Sequence, residues 1–213
     1  MLIPTCIASH QERHRRMPAD DLIPEPMASF THGITIKAPS ADVWPWLVQM
    51  GAGRAGWYSW DFIDNGGVRS TRSILAEFQC IEVGQVFPAI PGAEDVFVLH
   101  ALDPGKDLVL CVPSPSGGFL VSWEFMLEPL TDNTTRLLVR ARIADTWLTD
   151  TGGQHDSEVG PILIERVYGI LAMIPLWIML PLAGFGHRIM EARMLRGIKR
   201  RAEKLLALPE AQR

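Results

Sequence analysis

The chain has 213 residues, 47% of them hydrophobic, which is enough to bury a sizeable core in one domain. Its formal net charge of -4 gives no general attraction to nucleic acid. The charge is unevenly distributed. From His187 onward there are eight Lys or Arg and three Asp or Glu, whereas the whole chain has 20 Lys or Arg and 24 Asp or Glu. The body is therefore acidic and the tail basic.

The first predicted unit, residues 1–27, is an irregular N-terminal arm. Prolines recur among its charged residues, which suits extended chain better than a packed helix: Pro4, Pro18, Pro24 and Pro26. We expect this arm to wrap the surface of the protein. It lacks the apolar stretch of a secretory signal, so we expect a cytoplasmic location.

Metal and cofactor motifs are weak. His10 and His14 are spaced for one helix face, but no third ligand is apparent. The GxGxxG pattern at 51–56 follows a predicted helix rather than a strand, which indicates a helix stop and not a dinucleotide site. The three cysteines form no CxxC pair, which favours reduced thiols: Cys6, Cys80 and Cys111. The sequence predicts no metal, no cofactor and no nucleic-acid partner, and it leaves the oligomeric state open.

A second predicted unit, residues 28–208, begins with a strand at 29–37 that ends in β-branched residues. Pro39 and Ser40 then open a helix whose apolar residues fall on one face. Short apolar runs punctuated by turns follow and predict a meander of antiparallel strands: 80–87, 96–102, 108–112, 119–127 and 137–143.

The last pair of these strands forms the clearest hairpin. A register that sets Glu128 against Arg136 and Glu124 against Arg140 places both charge pairs on one face. The opposite face then pairs only apolar residues, as a concave wall requires: Trp123 with Ala141, Phe125 with Val139, and Leu127 with Leu137.

The chain ends with an uncharged apolar segment, 167–186, followed by a basic amphipathic helix from about residue 189 to residue 206. The apolar segment is long enough for a membrane span, but Pro175 and Pro181 interrupt it. A span would also place the basic tail opposite a cytoplasmic domain. Packing on the sheet, docking of 167–206 on a membrane surface, and a true span all stay open.

Five segments resemble the SRPBCC superfamily, which includes START domains, pollen-allergen-like proteins and polyketide cyclases: ITIKAPSADVWPWLVQMG, GRAGWYSWDFIDNGG, SWEFMLEP, TRLLVRARI and MLRGIKRRAE. The first segment looks like the strand and helix start of the superfamily, the last four look more narrowly like a bacterial branch of it, and the resemblance covers residues 19–204. It implies an α+β helix-grip fold, in which a curved antiparallel sheet wraps around a long C-terminal helix. It also implies binding of apolar ligands, and it carries over no catalytic residue.

We therefore expect a small hydrophobic molecule, lipid-like, polyketide-like or aromatic, to bind in an internal cavity. The predicted wall combines aromatic and methionine side chains: Trp57, Tyr58, Trp60, Trp123, Phe125, Met190 and Met194. An alternative is a cyclase or dehydratase that uses acid and base groups in the same cavity, with Asp61, Asp64 and His100 as weak candidates. A second alternative is a membrane-associated protein.

Overall fold

A six-stranded antiparallel sheet in the order β1-β6-β5-β4-β3-β2 forms the frame of the protein. The computed structural model describes residues 6–91, 96–147 and 176–206, with side chains of the last segment from 184 to 205. The sheet is curved and unclosed. Its strands are β1 (Ala28–Ile36), β2 (Val86–Pro88), β3 (Val96–Asp103), β4 (Asp107–Pro113), β5 (Phe119–Thr131) and β6 (Thr134–Ile143).

The long C-terminal helix lies against β1 and against the helix that follows β1, which is the predicted helix-grip arrangement. The α-helices are α1 (His10–His14), α2 (Ser40–Val48), α3 (Asp61–Asp64) and α4 (Leu176–Leu206). Helix α4 begins well before the predicted start near residue 189, whereas 167–175 lie outside the described residues. Among the described helices, none combines the length and apolar character needed to cross a membrane.

The β5–β6 hairpin has the predicted register. Trp123 pairs with Ala141, Phe125 with Val139, and Leu127 with Leu137 on the inner face. On the outer face Glu128 stands opposite Arg136, and Glu124 opposite Arg140. Because side chains alternate between the two faces of a strand, this register directs every second residue of the hairpin toward the helices.

The inner face of the sheet packs on α2 and the second half of α4. Side chains fill this space and form one core cluster, in which Phe125, Leu195 and Ile198 are fully buried. Each large side chain buried there contributes roughly 1.5–3 kcal/mol to folding. The predicted wide cavity therefore does not extend into this half of the sheet–helix space.

The N-terminal arm crosses the free edge of β1: Cys6 lies in the inner core against Ala192 of α4, and residues 8–27 cover the outer face of the sheet. It contains α1 and a short 3-10 turn at Pro18–Leu22, and Ala19 packs on Val109 and Cys111. The arm also binds the sheet through ion pairs and hydrogen bonds, and Ile7 forms an isolated bridge with His32 on β1. These contacts place the arm across the charged face of the hairpin.

The glycine-rich segment after α2 is a loop, as the helix-stop interpretation predicts. Gly51 and Gly56 exchange backbone hydrogen bonds of 3.3 and 3.0 Å, and both have positive φ. The loop leads to Tyr58, which itself has φ of 60° and is fixed by a hydrogen bond from its hydroxyl to Trp46 O, 3.1 Å. Helix α4 crosses Tyr58 at Gly197, where the two backbones nearly touch.

Candidate functional site

The candidate site lies where the inner face of the sheet meets the first half of α4. Strand register aligns Phe30, Ala141 and Trp123 in one row across the sheet, and His32, Val139 and Phe125 in the next. Unlike the filled core beside it, this region contains half-buried aromatic side chains, among them Phe30 and Trp123. Trp123 contacts Trp57, Phe97 and Phe125, with ring centroids 5.5, 5.3 and 4.8 Å apart. The result is an aromatic surface beside the helix.

Three titratable side chains converge on this aromatic surface: His32 and Glu191 are buried, and His187 is half-buried. His187 and Glu191 lie one turn apart on α4, with His187 Nε2 at 3.8 Å from Glu191 Oε2. His32 projects from β1, and its ring centroid is 5.7 Å from that of His187, which also stacks on Phe30 at 5.0 Å. We call His32, His187 and Glu191 the polar trio.

Burial determines the protonation of the polar trio. It raises the pKa of Glu191 to about 8, although the nearby Trp123 side chain lowers that pKa in part. Burial also lowers the pKa of His32 to about 4, with a further contribution from His187, and it lowers the pKa of His187. At neutral pH the trio therefore comprises a protonated carboxyl and two neutral imidazoles.

Several polar atoms of this region lack a hydrogen-bond partner among the described residues. They are His32 Nδ1, His187 Nδ1, Glu191 Oε1 and Trp123 Nε1. The Trp123 indole lies near the Glu191 carboxyl without a hydrogen bond of normal geometry. Leaving a buried donor or acceptor unsatisfied costs about 1–3 kcal/mol. These polar atoms are thus buried beside aromatic rings without a partner among the described residues.

The seven residues predicted to form the ligand wall divide between three locations. Trp57, Tyr58, Phe125 and Met194 are buried in the core cluster. Trp123 and Met190 are half-buried near the polar trio. Trp60 is 42% exposed at the surface, where the Arg193 guanidinium covers its ring at 4.0 Å. Trp60 therefore cannot belong to the same wall as Trp123.

The three predicted acid–base candidates are separated. His100 follows Leu99, which faces the core, and lies on the outer face of the sheet, against Phe119. Asp61 accepts a hydrogen bond from Ser70 on the helix side of the molecule. Asp64 is buried in α3, and burial raises its pKa. These residues do not form one catalytic constellation, so the prediction that they serve a common cavity is wrong for His100.

Sequence reasoning missed all three members of the polar trio, although two of them, His32 and Glu191, had a periodic signal. His32 precedes Ile34 and Ile36 at the two-residue period of the inward face of β1. Glu191 precedes Leu195 and Ile198 at the helical period of the inward face of α4. A polar residue at an apolar position of such a pattern indicates a buried polar group.

Replacing Glu191 with glutamine should make stability less dependent on pH. A carboxyl whose pKa is raised by folding stabilises the protein fully below its unfolded pKa, and this contribution is lost as pH rises through the folded pKa. Wild type should therefore lose a few kcal/mol of unfolding free energy between about pH 5 and about pH 8 that Glu191→Gln retains.

Urea unfolding at several pH values measures this difference, and Glu77→Gln, at an exposed position, is the matched control. Parallel curves of unfolding free energy against pH for wild type and Glu191→Gln would contradict the buried, protonated state of Glu191.

No protein-family model and no curated protein matches this chain. Solved structures with a similar fold include a polyketide-cyclase-like protein from Corynebacterium glutamicum, 16% identical, which aligns over 86% of this chain and 96% of its own with a TM-score of 0.45. A protein from Mesorhizobium loti is 13% identical over 83% of this chain and 98% of its own, with a TM-score of 0.43.

A protein from the dynemicin biosynthetic locus is 15% identical over 80% of this chain and 47% of its own, with a TM-score of 0.40. Such likeness is one of fold and assigns neither a ligand nor an activity to this chain.

Proposed function

We propose that the protein binds a small, largely apolar molecule between the aromatic surface around Trp123 and the first half of α4, with one polar group of the ligand facing the polar trio. The observation that carries this proposal is the set of buried, unpartnered polar atoms on His32, His187 and Glu191 beside aromatic rings. A ligand oxygen or hydroxyl would satisfy these atoms, and the rings would supply contact area.

The protonation of the trio supports a particular ligand chemistry. A protonated Glu191 donates a hydrogen bond, so it suits a carbonyl oxygen, whereas a neutral imidazole nitrogen can accept one from a hydroxyl group. An anionic head group finds no cation within the trio. The favoured ligand is therefore an uncharged or weakly polar aromatic or chain-like molecule that carries a carbonyl or hydroxyl group.

Trp123→Ala should weaken binding of the neutral fluorescent probe N-phenylnaphthylamine about tenfold or more, because the probe loses a large aromatic contact. Fluorescence titration measures the affinity, and polyaromatic compounds that carry a carbonyl or hydroxyl group should displace the probe. Trp60→Ala is the matched control, since Trp60 lies on the surface and its loss should leave the affinity unchanged. Equal affinities for wild type and Trp123→Ala would remove the binding proposal.

A second candidate function is acid–base catalysis on the same ligand class, as in an aldol ring closure followed by loss of water. The neighbouring Glu191 carboxyl and His187 imidazole favour it, because one can donate a proton to a carbonyl oxygen while the other accepts a proton from carbon. Turnover of an aromatic poly-β-ketone, followed by chromatography, tests it. Catalysis requires that Glu191→Gln lose turnover while it still binds N-phenylnaphthylamine.

A further inference from the structure

One side of α4 carries an unusual concentration of unpaired positive charge. A groove of about 840 Å³ runs between this helix and the segment 57–74. Its lining includes six cations and one acid, Asp61: Arg72, Arg193, Arg196, Arg200, Arg201 and Lys204. None of the six forms an ion pair with a described residue. We call this feature the basic groove.

Some of these cations are held in place by uncharged groups. Arg193 donates to Ser59 O at 2.8 Å and covers the Trp60 ring, and Arg201 donates to Thr71 O at 2.7 Å. Carbonyl oxygens and rings position the guanidinium groups without neutralising them. Arg72, Arg200 and Lys204 extend into solvent. The positive potential of the groove is therefore available to a partner.

Exposed apolar side chains lie next to the basic groove. Ten large apolar side chains are exposed among the described residues, and six of them belong to two segments that flank the groove: Trp60, Phe62, Ile63, Val68, Phe185 and Ile189. Phe62 is 89% exposed, and Trp60 and Ile189 line the groove itself. Clusters of exposed apolar residues on a protein surface usually mark an interaction site.

We infer that this side of the protein docks on an anionic lipid bilayer, with the apolar side chains around Phe62 entering the interface and the basic groove facing lipid phosphates. The combination of exposed apolar groups with unpaired cations matches a surface that is apolar just below a layer of negative charge. Binding of a soluble anion would require only the cations of the basic groove. Binding of an apolar protein partner would require only the exposed apolar side chains, whereas an anionic bilayer uses both. The inference does not rest on the proposed interior ligand.

Vesicle flotation tests this inference with phosphatidylcholine vesicles, with and without phosphatidylserine. The protein should float only with the anionic vesicles, and added salt should release it. Replacing Arg72 and Arg200 with glutamine should lower the partition coefficient about 25-fold, since each basic residue near the membrane contributes about fivefold. Replacing Arg16 and Lys106, exposed on other parts of the surface, causes the same change in net charge and should have little effect.

A separate substitution tests the contribution of the exposed apolar side chains to membrane binding. Phe62→Ala should lower partition about tenfold or more without loss of stability, because this side chain contacts mainly solvent in the free protein. Leu130→Ala, exposed at the far end of β5, is the control. Equal binding to both kinds of vesicle, or equal binding by Phe62→Ala and wild type, would overturn the inference.

Two further outcomes would also overturn it. If inorganic phosphate or heparin bound with the same dependence on Arg72 and Arg200 while vesicles did not bind, the groove would be a site for soluble anions. If neither bound, the surface would have no anionic partner. The N-phenylnaphthylamine assay is independent of all these measurements, so failure of the docking surface and failure of the interior site can be told apart.

Discussion

Gly197→Ala should destabilise the protein by at least about 2 kcal/mol, although alanine is the better helix former. A Cβ atom at this position would meet the carbonyl oxygen of Tyr58 and lie 2.8 Å from the Tyr58 Cβ. Tyr58 cannot easily move aside, because its amide is bonded to Ser70 Oγ at 3.2 Å and its hydroxyl to Trp46 O. Helix α4 would have to retreat from the loop and disturb the core on both sides.

Gly186→Ala on the same helix is the matched control. A Cβ atom there has no neighbour within 4 Å, so the substitution should stabilise the protein by about 0.5–1 kcal/mol through helix propensity alone. Urea unfolding of the two variants and wild type measures both effects. If Gly197→Ala proved as stable as Gly186→Ala, α4 would not lie against Tyr58.

Arg140→Met should cost about 3–5 kcal/mol, because it removes one partner of a buried ion pair. The Arg140 side chain is only 3% exposed and bonds Asp20 Oδ2 at 2.7 Å. It also donates to three carbonyl oxygens of the arm: those of Glu12, Arg13 and Arg15. Its loss leaves these acceptors without their donor, so the arm should detach from the sheet before the rest of the protein unfolds.

Limited proteolysis of residues 6–27 and urea unfolding together measure this effect. Arg16→Gln is the control, since the exposed ion pair of Arg16 with Asp21 should contribute no more than about 1 kcal/mol. Arg140→Lys should only partly restore stability, because lysine cannot reach several acceptors at once. An arm that resists protease equally in Arg140→Met and wild type would show that other contacts hold it.

Local sequence patterns predicted the parts of the fold that depend on neighbours in the chain. The β5–β6 register follows from a short turn and alternating apolar residues, and all of its predicted pairs are present. The ion-pair partners of the charged residues on the outer face of this hairpin could not be predicted. Arg136 bonds Glu12 at 2.8 Å and Glu128 bonds Arg15 at 2.5 Å, so the arm supplies the partners instead of the opposite strand. Sequence separations of more than a hundred residues leave no local signal.

The candidate site was predicted less well than the fold, for two physical reasons. His100 follows the inward-facing Leu99 and therefore lies on the outer face of the sheet, but the short apolar run at 96–102 does not show which residues face inward, since a bulge interrupts its alternation. Trp60 follows Trp57 and Tyr58 in one aromatic run, yet the positive φ of Tyr58 redirects the chain and leaves Trp60 at the surface. Glu191 was predictable in principle, since it interrupts the apolar face of α4.

The bridge between Ile7 and His32 has a consequence for how the sheet meets other chains. An open sheet has unpaired backbone N–H and C=O groups along its two edge strands, and a strand from another chain can pair with these edges. At one edge, β2 has only three residues and ends in Pro88, which has no N–H to donate. At the other edge, Ile7 of the arm pairs with His32 and so covers part of the free edge of β1. Proteolytic loss of the arm would expose β1, with its β-branched end, as a template for aggregation.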